Sequence, residues 1–270
     1  MVALAIATTV PIGPPPTLAA EPPSVAEPAP SDLQFILSEA QRVQEADVAA
    51  WSGYRFIRRA EHQDLGEEGE IEGHEVFEFL VTPRTGGFDE ELLRLDDRDP
   101  LVEERDRHRK LGSFGKHYRT LMSGAGNDEV EGGYSLGLLL HLSSYRYAGL
   151  EDRDGVACYR LDFFPDEDGG QKEKGLAWKV ARVMKGSLWI AREGFHVVAA
   201  RAETVRPISL ALSLAKVSEV QVSVECGPVG GGVWLPHRIE MRTRARILLN
   251  SIHRRNLYAY SEFQYQPPPG

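Results

Sequence analysis

Acidic residues form the densest set of potential ligands in the chain: Asp152, Asp154, Asp162 and the run 166–168. Carboxylates at that density suit calcium, a hard cation that prefers oxygen. Their spacing does not match an EF-hand loop, however, and Asp/Gly turns account for most of them. Transition-metal chemistry finds no scaffold either, because the eight histidines are scattered and no His-Glu-x-x-His or Cys-x-x-Cys unit occurs. A serine-nucleophile turn is not expected either. No catalytic residue, metal ligand or cofactor is therefore expected, and the chain reads as a protein that is not an enzyme.

Cys158 and Cys226 both sit in strand-like runs, where a lone thiol behaves as a small apolar side chain. Sequence alone leaves their pairing open, since a disulfide needs close Cα atoms. A formal net charge of −9 argues against nucleic acid as a partner, because displacing phosphate counterions requires a coherent positive footprint. A basic cluster does occur at Arg105, Arg107, His108, Arg109 and Lys110. Glu103, Glu104 and Asp106 are interleaved with it, so it reads as a solvated helix face.

The elements that would position any site are mostly strands. One helix is predicted over about 33–50, where Leu33, Ile36, Leu37, Ala40, Val43 and Val48 recur near a period of 3.6, behind a Ser31-Asp32 cap. Strands are then predicted near 51–61, 70–82, 144–149, 156–164, the last part of 208–225, 238–246 and 255–265, with period-two alternation clear at 77–81, 156–164, 220–225, 238–246 and 255–265. The segment 90–95 is a further candidate that could be strand or helix, and 176–183 a short strand or half-helix. The stretch 185–203 reads as a hairpin, with Gly194 supplying the positive φ that a tight turn needs. About ten strands in series, with no alternating strand-helix unit, predict a mainly β fold. The expected form is a single strongly curved antiparallel sheet, an open half-barrel with helices covering its concave side, because twist accumulates over that many strands.

Residues 1–20 hold a short apolar run and end in Thr17-Leu18-Ala19-Ala20, which reads as a signal peptide. Residues 21–30 read as a Pro-rich linker, 31–265 as the folded domain and 266–270 as a tail. No later stretch is long and apolar enough for a spanning helix. The expected location is the periplasm of a diderm bacterium.

The order of parts resembles the periplasmic outer-membrane lipoprotein carrier and sorting-protein superfamily. The resemblance rests on the export signal, the first helix, a strand beginning near Trp51, Gly186-Ser187-Leu188-Trp189-Ile190, Trp234-Leu235-Pro236 before a long strand, and Tyr260-Ser261-Glu262-Phe263. It covers about 31–265 and departs from the family pattern at Ala191, where an Asp would be expected. The resemblance implies an open barrel whose apolar concavity holds acyl chains of a lipid or lipoprotein, with transfer across the periplasm. On that basis Phe77, Phe79, Tyr159, Leu161, Trp189, Ile239 and Met241 are expected to line the ligand site. The apolar segment 134–142, with Tyr134, Leu136, Leu138, Leu139 and Leu140, is the expected lid. Arg238, Arg242, Arg244 and Arg246 form a basic strand face suited to anionic headgroups or an acidic partner. The alternative is a structural or regulatory envelope protein that binds a protein partner and carries no lipid.

Overall fold

The computed structural model describes residues 30–84, 87–111, 143–165, 182–210, 215–247 and 250–266. In chain order these give α1 (Pro30–Trp51), β1 (Tyr54–Leu65), β2 (Ile71–Arg84), β3 (Gly87–Leu95), α2 (Val102–Leu111), β4 (Ser143–Arg153), β5 (Val156–Pro165), β6 (Met184–Ala191), β7 (Val197–Thr204), β8 (Ile208–Leu210), β9 (Ala215–Gly230), β10 (Val233–Ile247) and β11 (Asn250–Tyr265). The expected lid lies outside the described residues, as do the signal, most of the linker and the 176–181 part of the short strand candidate.

All the strands belong to one antiparallel sheet. Ten lie on a continuous path, β3-β2-β1-β11-β10-β9-β7-β6-β5-β4, and β8 pairs on β9 beside it. Segment 90–95 resolves as strand, within β3. The alternation at 220–225 lies within β9, and β8 pairs on the start of that strand with Ile208 opposite Val217. The first and last strands of the domain meet in mid-sheet, with Arg59 opposite Ala259 and His62 opposite Asn256.

The expected strong curvature is corrected. The sheet is not strongly curled; it runs as an open ladder from β3 to β4, whose contacts fall between ladder neighbours. Strand number predicts accumulated twist, whereas curl toward a half-barrel also requires tilt and a staggered register.

One face of the sheet is covered. There Phe56, Phe79, Val81, Leu92, Leu161, Leu188, Ile190, Leu235, Ile239 and Tyr260 form a single apolar cluster with Ile36 and Ala40 of α1. The helix stripe is as predicted, with Ile36, Ala40 and Val43 buried. It continues to Trp51, whose ring lies 4.9 Å from Phe56 and 5.7 Å from Tyr260. Contacts of α1 with the sheet concentrate on β10, and those of α2 on β3. The opposite face, open among the described residues, carries the alternate charged residues of β10 and a small apolar cluster of Cys158, Trp189, Ala191, Val198 and Ala199.

Candidate functional site

Directly opposed residues in an antiparallel ladder project to the same side, so the register sorts the expected lining residues. Phe77 and Phe79 lie opposite Ala60 and Arg58, and their rings stack at 6.1 Å. Tyr159 and Leu161 face Ile190 and Leu188 across β5 and β6. Ile239 faces Val224 and Tyr258, and Met241 faces Val222 and Asn256. These six share the covered face. Trp189 does not: it stands opposite Arg160 and Ala199 and packs with Cys158, Ala191, Val198 and Ala199 on the open face.

Leu161 and Ile239 are fully buried, while Phe77, Tyr159, Tyr145, Tyr147, Tyr258 and Phe263 are only partly buried against the same cluster. The face thus has a closed centre and an accessible aromatic margin. Burial raises the Tyr258 and Tyr260 hydroxyls above their ordinary range. They are neutral at physiological pH and offer no charge to a ligand.

Two polar insertions on this face were missed from sequence. Arg58 makes a two-pronged ion pair with Glu90, at 3.1 and 3.2 Å, with its guanidinium 4.5 Å from the Phe79 ring centre. Its side chain is 5% exposed and that of Glu90 12%. Beside it, His62 Nδ1 lies 2.8 Å from Asn256 Oδ1. Burial is the largest influence on His62 and lowers its pKa, against the hydrogen bond to Asn256. The signal for Arg58 was present: it sits in phase with Phe56 and Ala60, on the face expected to be apolar.

Asp47 was also missed. It projects from the buried stripe of α1, accepts a hydrogen bond from the Trp234 backbone N–H at 3.1 Å and lies 2.8 Å from His196 Nδ1. The His196 and Trp234 rings stack at 5.3 Å. Burial pushes the Asp47 carboxyl up, and the His196 and Trp234 bonds pull it back in part. These bonds clasp the end of α1 to the β6–β7 turn and to the start of β10. Gly194 takes φ +80° in that turn, as expected, and Phe195 takes +57°.

The basic residues of β10 alternate onto the open face. Glu240 sits among them, 3.0 Å from Arg242, 3.8 Å from Arg238 and 2.8 Å from Arg255 of β11. The hydrogen bond from Arg255 is the main reason the Glu240 carboxyl is held below its ordinary range. Arg244 approaches Glu219 at 3.9 Å. The row is thus partly neutralised by its own sheet.

Both cysteines are free thiols, on opposite faces: Cys158 packs beside Trp189 and Cys226 against the covered cluster. Burial pushes Cys158 up to about 11 and Cys226 up to about 12, so neither is a thiolate nucleophile at neutral pH. Among the described residues no group of three or more His, Cys, Asp or Glu is placed to hold a metal ion. Against expectation, Gly133-Tyr134-Ser135-Leu136-Gly137 does have the Gly-x-Ser-x-Gly spacing of a nucleophile turn, and it lies outside the described residues. Among the described residues no helix is long and apolar enough to cross a membrane.

No family model matches the chain, and neither does any curated protein. Solved structures similar to it include a LolA superfamily protein from Nitrosomonas europaea, at 13% identity over 87% of this chain and 94% of that one, with a TM-score of 0.38. The lipoprotein LppX of Mycobacterium tuberculosis matches at 11% identity over 87% and 97%, with a TM-score of 0.31. A chain of the Pseudomonas aeruginosa MucA/MucB complex matches at 10% identity over 87% and 100%, with a TM-score of 0.24. No residue role is transferred from these structures.

Proposed function

We propose that the protein is an exported, non-enzymatic carrier that holds acyl chains of a lipid or lipoprotein against the covered face, for transfer across the periplasm. The observation that carries this reading is the partly buried aromatic margin of Phe77, Tyr147, Tyr159 and Tyr258 around a closed apolar centre. A helix about 10–12 Å across cannot span ten strands spaced about 4.8 Å apart, so α1 leaves that margin uncovered. Hydrocarbon laid there gains about 0.8 kcal/mol per buried methylene, before the cost of ordering the chain. The tyrosine hydroxyls at the margin match an ester or amide better than an ion.

Fluorescent fatty-acid titration and native mass spectrometry after gentle purification test the reading. Wild type should bind saturably and retain lipid mass. Tyr147→Arg with Tyr159→Arg should weaken uptake by about tenfold, because each places a charge where hydrocarbon would lie. Absence of both retained lipid and saturable uptake in the wild type would remove the proposal. The alternative partner-binding reading draws on the arginine row of β10, and a protein that binds no acyl probe but loses an envelope partner on charge reversal of that row would favour it.

A further inference from the structure

The open face contains a groove of about 1050 Å³ that acyl binding on the opposite face does not use. Three cross-strand rows build it. The middle row runs Asp162, Ser187, Arg201, Ser223, Glu240 across β5, β6, β7, β9 and β10. On one side lie Arg160, Trp189, Ala199, Glu225 and Arg238; on the other, Lys185, Glu203, Gln221 and Arg242. Small side chains at Ser187, Ala199 and Ser223 sink the floor, and long charged ones on β4, β5 and β10 raise the walls.

The lining has seven cationic and five acidic side chains, a positive surplus in a chain of formal charge −9. Most of the acids are already engaged. Glu151 accepts from Trp189 Nε1 at 2.6 Å and Arg160 at 2.7 Å. Asp162 accepts from Ser187 Oγ at 2.8 Å, Arg146 at 3.2 Å and Arg160 at 3.3 Å. Glu203 holds Lys185 at 3.1 Å, and Glu240 holds Arg242 and Arg255. Glu225 remains as an exposed acid at the rim. Arg201 and Arg153 form no ion pair among the described residues; their guanidiniums lie 5.9 and 4.5 Å from the centre of the same Trp189 ring. Arg160, 5.8 Å from the same ring, is the third cation there but is paired with Glu151 and Asp162, and Ser223 stands opposite Arg201.

We propose that this groove is a phosphate-type oxyanion site, with Arg201 and Arg153 as its charged contacts and Ser223 as a hydroxyl donor. Two separate guanidiniums and a hydroxyl suit an anion with several oxygens, since each arginine offers a planar fork of donors. Trp189 lies against both guanidiniums in cation–π contact, and its own N–H is committed to Glu151. The phosphate could be free or carried on a lipid headgroup.

Inorganic phosphate titrated calorimetrically, and flotation with phosphatidylglycerol against phosphatidylcholine vesicles, separate those sources. Wild type should bind in at least one arm, and Arg201→Glu should weaken that binding by about tenfold, the scale of a lost charge-assisted contact. Ser223→Asp, which sets a carboxylate beside Arg201, should do the same and guards against a folding defect in one variant. Loss in both arms identifies a site that accepts free phosphate; loss with vesicles alone identifies a headgroup site. Wild type that binds neither phosphate nor anionic vesicles, or variants that bind like wild type, would overturn the proposal. Fatty-acid uptake should be unchanged in both variants, so failure here is distinct from failure of the acyl-carrier reading.

Discussion

Gly186 shows how a single residue fixes a ladder. A Cβ built on it would overlap the Arg201 carbonyl oxygen of the neighbouring strand, a backbone atom that cannot move aside without opening the β6–β7 pair. Gly186→Ala should therefore destabilise the protein by more than about 2 kcal/mol, read as a lowered urea midpoint, although it adds one methyl group. The motif containing Gly186 was visible in the sequence, but the strand phase beside it was not. Leu188, Trp189 and Ile190 are all apolar, so alternation gives no clue to which of them faces the helix. Only the partners decide: Ala200 opposite Leu188, and Ala199 with Arg160 flanking Trp189. The cysteines pose the same problem, because which face each strand presents is a property of its neighbours.

At the scale of the element, α1 was the most legible part, since a 3.6-residue period sustained along its whole length fits a helix and no strand. Its attachment was less so. Asp47 falls on the buried stripe, four residues after Val43, and an acid there signals a partner without naming one. Asp47→Ala should cost about 2–3 kcal/mol by leaving His196 and the Trp234 N–H without their acceptor, and should speed hydrogen exchange at Trp234. Asp47→Asn keeps an acceptor for Trp234 and should cost less. The pH sign follows from the raised carboxyl: its folded pKa lies above the unfolded value of 3.8, so the native state holds the proton more tightly. This group's share of stability is greatest at low pH and declines as pH rises through the folded pKa. Asn should remove that decline, as seen in urea midpoints across the acid range. The division of 208–225 into β8 and β9 was not legible, because the apolar run crosses the fold-back without a break in hydrophobicity.

For the whole molecule, a mainly β chain with its strands in one antiparallel sheet could be read from alternation, and the degree of bending could not. Curl depends on tilt and stagger between strands, which no single strand's sequence carries. Strand order was also hidden: nothing local to β1 announces that its central neighbour is β11, at the far end of the domain. Removing residues 250–270 should abolish cooperative unfolding altogether, because it takes a strand from the interior of the path, whereas trimming only 267–270 should leave the urea transition unchanged. The seam between β1 and β11 also sets a timetable for synthesis. While the C-terminal strand is still inside the ribosome, the β1-β2-β3 block and the β10-to-β4 block lack the strand that pairs with both, and are linked by the α1 clasp and the Tyr54–Gly230 hydrogen bond. A ladder whose central strand is made after all its partners stays unfinished until that strand arrives.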